Sequence, residues 1–426
     1  MLFLLLASAL VSPQTTTGEA LFYKQWQLPI AGQVKLGPLY NGRSCAACHI
    51  NNGRGRPPVD GRDDPSFVLR FSIAPQNEAQ RMALALEEYA SIAEPRYGRQ
   101  LQDKGIDGAG EGRLLVEYRD KLVQLDDGEV VILQRPVYSL DNLKKGPLHK
   151  NVQISARLAQ PLHGIGLLAA IRDEDILSAE DPRDEDKDGV SGRANMVRDV
   201  VNSKIVPGRF GWKATQPNLL QQVAVAFAQD IGISSSLYPQ TAQVCTDDKS
   251  DCLATSSKPA NAGKNEISDD ELSLTTQYVS RFRADQNGAE IKFGAERVGE
   301  KLFSEIGCVS CHRKSYKITT KDREGDSRPQ TIYPYSDFLL HDMGAGLADH
   351  RPEAQASGWE WRTQPLWGIG KIDKVNGNRF FLHDGRARTI TEAILWHGGE
   401  ARHARARFSA LSKNQRAALV KFVRGL

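Results

Sequence analysis

One pentapeptide, Cys-x-x-Cys-His, occurs twice in this chain and limits what it can fold into. The copies are Cys45-Ala46-Ala47-Cys48-His49 and Cys308-Val309-Ser310-Cys311-His312. Each sets two thiols one turn apart and an imidazole directly after them. At that spacing two thiols add to the two vinyl groups on one edge of a porphyrin, and the next residue brings its ring under the iron. A zinc half-site or a redox dithiol would use the same residues. Two copies in one chain, both followed by polar or basic loops, favour two covalently attached haem c groups.

The other two cysteines, Cys245 and Cys252, lie in a polar loop with no histidine nearby. They read as a local disulfide, which suits an oxidising compartment, or as two free thiols. The start of the sequence points to the same compartment. Leu2 to Val11 is a continuous apolar run with small residues at Ala7-Ser8-Ala9, followed by a polar stretch rich in Thr and Gln. Residues 1–12 therefore read as a secretory signal and the protein as periplasmic; the alternative is a buried N-terminal helix. No other stretch is long or apolar enough to span a membrane. Lys and Arg number 55 against 52 Asp and Glu, with no basic run, so nothing suggests a nucleic-acid partner.

A degenerate repeat precedes the two motifs. Gly18-Glu19-Ala20-Leu21-Phe22 leads to the first, and Gly299-Glu300-Lys301-Leu302-Phe303 to the second. The second copy lies on an amphipathic helix with Ala295, Val298, Leu302 and Ile306 on one stripe. At the far end Ser412 is an N-cap with Gln415 at the capping-box position, and Leu419, Phe422, Val423 and Leu426 form an apolar face. This last helix is expected to pack on the one before Cys308. Between the motifs, Glu78 to Ala93 reads as a helix, and Leu219 to Asp230 as another ending at Gly232. Leu114 to Tyr118, Leu122 to Leu125 and Val130 to Leu133 read as strands, with Asp126-Asp127-Gly128 as a hairpin turn. Thr246 to Lys264 reads as a surface loop, with a domain boundary near Asp285 to Gly288. The expected fold is mainly α: two cytochrome c-type haem domains, 13–285 and 286–426, with long loops and a small β-hairpin insertion in the N-terminal half.

Several further stretches carry a resemblance. They are Gly37-Pro38-Leu39-Tyr40-Asn41, Gly208-Arg209-Phe210-Gly211-Trp212-Lys213-Ala214, Leu339-Leu340-His341-Asp342-Met343-Gly344, Arg362-Thr363-Gln364-Pro365-Leu366-Trp367 and Leu382-His383-Asp384-Gly385-Arg386-Ala387, the last running on to Trp396-His397-Gly398-Gly399. With the two haem motifs they resemble the bacterial di-haem cytochrome c peroxidase and MauG superfamily, and within it the di-haem oxidoreductase family. The resemblance covers nearly the whole chain. It implies that the N-terminal haem meets peroxide and the C-terminal haem relays electrons. It also implies a sixth ligand for the C-terminal haem at His397, with Met343 as rival. Relatives carry a distal acid sixteen residues after the position of Ala214; here that residue is Asp230, one methylene shorter than their usual Glu. Cleaving an O–O bond needs a group that takes a proton from one oxygen and returns it to the other, and a carboxylate does this. His149 or His163 would instead close the first iron. Phe210 and Trp212 flank the place of an inter-haem Trp in relatives. His341 and His383 would meet haem propionates or brace the fold, and Arg209, Arg362 and Arg386 would pair with propionates.

Asp184-Glu185-Asp186-Lys187-Asp188-Gly189-Val190 has carboxylates at alternate positions and a Gly at the turn. This is the first half of a calcium loop, with Asp184, Asp186, Asp188 and the Val190 carbonyl as ligands, although Asn195 stands where a bidentate Glu is usual. The alternative is a solvated acidic turn. The whole describes a di-haem peroxidase that takes electrons from a small redox protein. A non-catalytic di-haem carrier and a peroxide-driven oxidase of another substrate are the alternatives. Material from a host able to mature c-type cytochromes should keep two equivalents of pigment through acid–acetone extraction; one equivalent or none would end this reading.

Overall fold

The structure, a computed structural model, describes residues 16–26, 36, 38–58, 64–105, 108, 110–239, 265–284, 295–321, 327–377 and 379–426. The 1–12 segment, Cys245 and Cys252, the 246–264 loop and the 285–288 boundary lie outside them. Helix makes up 31% and strand 22%, so the mainly α expectation is corrected to a mixed build. The strands come from the long connections. Among the described residues they form antiparallel pairs, each a sheet of two strands.

The repeat resolves into two similar helix pairs. The helix Gly18–Tyr23 packs on Asp269–Ser280, and Ala295–Glu305 packs on Lys413–Gly425. In both, the repeat glycine stands at the crossing. A Cβ on Gly18 would lie 2.0 Å from the Leu274 carbonyl oxygen, and one on Gly299 would lie 2.3 Å from that of Ala418. Only a hydrogen fits there, so the backbones touch. The repeat phenylalanines then meet aromatics of the partner helices: Phe22 with Tyr278 at 5.5 Å and Phe303 with Phe422 at 5.4 Å. Both partner helices open with a capping box, Ser268 with Glu271 and Ser412 with Gln415. Leu419, Phe422, Val423 and Leu426 are buried as expected. Val298 is not; it is 50% exposed, because the close approach at Gly299 turns the helix so that Leu302, Phe303 and Ile306 face inward.

The expected hairpin is longer than the apolar runs suggested. It spans Arg113–Gln124 and Val130–Asp141 around the Asp126-Asp127-Gly128 turn, its polar residues alternating outward. It docks on the C-terminal part of the chain. Tyr138 Oη donates to Asp384 (2.7 Å), Ser409 Oγ to Asp126 (2.6 Å), and Arg416 pairs with Asp127 and Glu129. The helix Glu78–Ala85 stops short of Ala93 because Glu87 adopts φ 53°. Leu219–Ala226 widens into a π turn over Phe227–Ile231 and ends at Gly232, with φ 74°. Two hydrophobic cores result, and each draws side chains from both sides of 285–294. Replacing Gly299 by Leu should cost about 1–3 kcal/mol in denaturant unfolding; an unchanged midpoint would show that the helices do not need this contact.

Candidate functional site

Each Cys-x-x-Cys-His motif opens on its own cavity, of about 930 Å³ for the first and 980 Å³ for the second. Both are at the large end of small-molecule sites, which span roughly 300–1,000 Å³. In the first, Ser44 caps the short helix Cys45–Cys48 and accepts from Gln25, which fixes the motif. His49 Nδ1 lies 3.4 Å from the Gly53 carbonyl, and burial pushes its pKa down. The ring is therefore neutral, with Nε2 left for a metal. Asp230 sits on the π turn and lines the same cavity. Its carbonyl accepts from Asn41 and Gly42 just before the motif (2.9 and 3.0 Å), and its Oδ1 accepts from Gln100 Nε2 (2.9 Å). Among the described residues lining this cavity, His49 is the one histidine, and there is no methionine. His163 lines the second cavity instead, and His149 is not among the described residues lining either.

The second cavity holds two matched imidazoles. His312 Nδ1–H donates to the Tyr335 carbonyl at 2.8 Å, and His397 Nδ1–H donates to Ala393 at 2.7 Å. Burial lowers both pKa values, that of His312 to about 4. Each ring is neutral, with Nε2 free of these bonds, as ligands to one iron require. Met343 also lines this cavity. His341 lines this cavity with both ring nitrogens taken up within the chain. Its Nδ1 bonds Glu400 (2.7 Å) and its Nε2 bonds Asp337 (2.8 Å), so it braces the wall beside Cys311 as a doubly hydrogen-bonded imidazolium. His383 stacks on Trp361 at 3.8 Å and 11°, and burial lowers its pKa to about 3.

Gln160, Ile165, Phe210 and Trp212 line both cavities and form the wall between them. The expected propionate partners divide. Arg209 pairs with Asp173, and Arg386 with Asp384 (2.7 Å). Both are spoken for within the chain, and neither is among the described lining residues. Arg362 is buried in the second cavity, where burial lowers its pKa to about 9, and it fits the role. The acidic loop also differs from the expected set. Asp181, Asp184 and Asp186 bring carboxylate oxygens within 4.8 Å of one another. Asp188 turns away to accept from Ser310 Oγ at 2.9 Å, and the Asn195 amide is buried, donating to Lys213 and accepting from Gln355.

Two large cavities, neutral buried imidazoles and buried cations together define a haem-binding oxidoreductase. The chain's sequence matches the family model described as "Di-haem oxidoreductase, putative peroxidase" over residues 8–426, and it belongs to that family. No curated protein matches it. Among solved structures, hydrazine synthase of Kuenenia stuttgartiensis matches at 18% identity and a TM-score of 0.26, over 38% of this chain and 57% of that one. That likeness is too slight to bear on the fold. No described helix is long and apolar enough to cross a membrane. In ferric EPR the second haem should give a bis-imidazole low-spin signal that His397→Ala abolishes; a wild-type signal of imidazole/thioether type that the substitution leaves unchanged would pass the position to Met343.

Proposed function

We propose that the protein is an exported di-haem peroxidase that reduces hydrogen peroxide at the first haem with electrons relayed through the second. The reading rests on one asymmetry. The first cavity combines a single histidine with a carboxylate among its described residues, while the second holds a pair of neutral imidazoles. His49 alone would hold an iron in the first cavity and His312 with His397 one in the second, which suits chemistry at the first and electron transfer at the second. Thioether bonds from Cys45, Cys48, Cys308 and Cys311 would hold the haems. Bound there, the haem pair supplies the two electrons that turn peroxide and two protons into two waters.

The chain's own part is the proton. Gln100 occupies Asp230 Oδ1, which leaves Oδ2 as the oxygen to take a proton from one peroxide oxygen and return it to the other. The Asn41 and Gly42 amides hold that residue beside the first motif, so the shorter Asp side chain is offset by backbone placement. Trp212 in the shared wall has the Arg54 guanidinium 5.3 Å from its ring centre. A cation on the π face makes an electron harder to remove from an indole. This favours peroxide reduction over a reaction in which the wall stores an oxidising equivalent drawn from another substrate. A small redox protein would supply electrons at the second haem. A calcium ion would sit on Asp181, Asp184 and Asp186, in place of the Asp184, Asp186, Asp188 and Val190 set.

Asp230→Ala should lower peroxide turnover by about 10²–10⁴-fold while both haems stay attached. Unchanged turnover would remove Asp230 from the mechanism. A ferric spectrum with two purely low-spin haems, unreactive to peroxide, would favour the carrier.

A further inference from the structure

The first cavity ends in a charge cluster that the protein does not balance. Arg157 and Arg351 line this cavity and are 5% and 1% exposed. They share Glu353, at 2.6 and 2.8 Å, while Lys213 takes Asp349 at 2.8 Å. Arg70 and Arg99 line the same cavity. Arg70 lies within electrostatic reach of Glu353 and Asp230; Arg99 bonds the Ser91 carbonyl, and Arg351 bonds the Ser91 hydroxyl. Within the buried cluster three cations, Arg157, Arg351 and Lys213, therefore meet two carboxylates, Glu353 and Asp349. Arg351 Nε donates to no partner among the described residues, and Arg157 Nη2 stands 3.6 Å from Asp349 Oδ2 without a hydrogen bond. Burial outweighs the nearby carboxylates at Arg351 and Lys213, lowering their pKa values to about 10 and 8. A surplus buried positive charge is costly unless a ligand brings negative charge to it.

We infer that Arg157 and Arg351, supported by Arg70, bind the two propionate carboxylates of the first haem. The inference rests on haem occupying this cavity. A porphyrin joined to Cys45 and Cys48 through its vinyl edge carries its propionates on the opposite edge. Asp230 is the charge that bears on the Cys45 thiol, whereas Glu353, Arg157 and Arg351 bear on one another. None of Glu353, Arg157 and Arg351 is among the charges that bear on the two thiols, and Arg70 interacts with both Asp230 and Glu353. A carboxylate meets the excess charge, and the free Arg351 Nε–H and the loosely held Arg157 Nη2 supply donors in the two-point geometry that carboxylates accept. The site replaces Arg209 and Arg386, whose charges are taken up elsewhere in the chain. Lys213 and Arg157 also stand 4.7 and 5.5 Å from the ring centre of Trp361, which lines the second cavity. The propionate end of the first haem would therefore face the second.

The test uses the full di-haem protein, with Arg351→Gln and Arg157→Lys. Haem per chain is measured by pyridine haemochrome, the propionate-bending band by resonance Raman, and the midpoint potentials by spectroelectrochemistry. Both variants should shift the propionate band of one haem. Arg351→Gln should also lower the first haem's potential, since losing a cation favours the ferric state, and leave the second unchanged. Arg157→Lys keeps the charge and should move the band with little change in potential. A band and potential unmoved in both variants overturn the inference. So does a wild-type spectrum that responds to added succinate and stops responding in Arg351→Gln, because the cations would then serve a free dianion. If Arg351→Gln does not fold, the band in Arg157→Lys decides. A wild-type protein with no haem on Cys45 and Cys48 would instead fail the haem reading itself, and haemochrome counting reports that separately.

Discussion

The structure depends on two backbone-to-backbone crossings. Gly18 and Gly299 let one helix lie against another with no side chain between them. Each crossing sets the helix ahead of a haem motif at a fixed height on its partner, with Phe22 or Phe303 wedged alongside. The motif, its histidine and the cavity follow from that placement. The rest of the chain is arranged around these two similar frames, and the differences between them are where function enters.

The main difference is what each frame places in the cavity with its motif histidine. The second receives another neutral ring, His397, from the end of the helix Ile390–Trp396. The first receives a carboxylate from a π turn, a geometry that re-aims one residue relative to a regular helix. Both imidazoles of the second cavity are held through Nδ1 by main-chain carbonyls, which fixes the tautomer without adding charge. Gln160, Ile165, Phe210 and Trp212 then bring two unlike sites to one thin wall.

Much of this was legible in the sequence where the signal was local. The two pentapeptides, the glycine-led repeat, the capping box at Ser412 and the buried face of the last helix depend on near neighbours, and all appear in place. The burial of Val298 was misjudged because periodicity does not register how closely a glycine lets a partner approach. The hairpin was underestimated because polar Arg119-Asp120-Lys121 and Gln134-Arg135 interrupt its apolar runs. Asp230 was found by resemblance, and its backbone tether to Asn41 and Gly42 could not be read from spacing. The arginines were the least legible. Whether a buried guanidinium is already neutralised depends on acids far away in sequence, as Asp173 is for Arg209 and Glu353 is for Arg157. Asp181 joins the acidic cluster from outside the loop motif for the same reason.

The two frames close at different points along the chain. The second is completed by Lys413–Gly425, in the same C-terminal stretch as its motif, but the first waits for Asp269–Ser280, long after His49 has been made. The first frame therefore closes over roughly twice as much chain as the second. Long-range closure of this kind is slow. It makes the N-terminal frame the later of the two to close and the one that depends most on being protected before folding is complete.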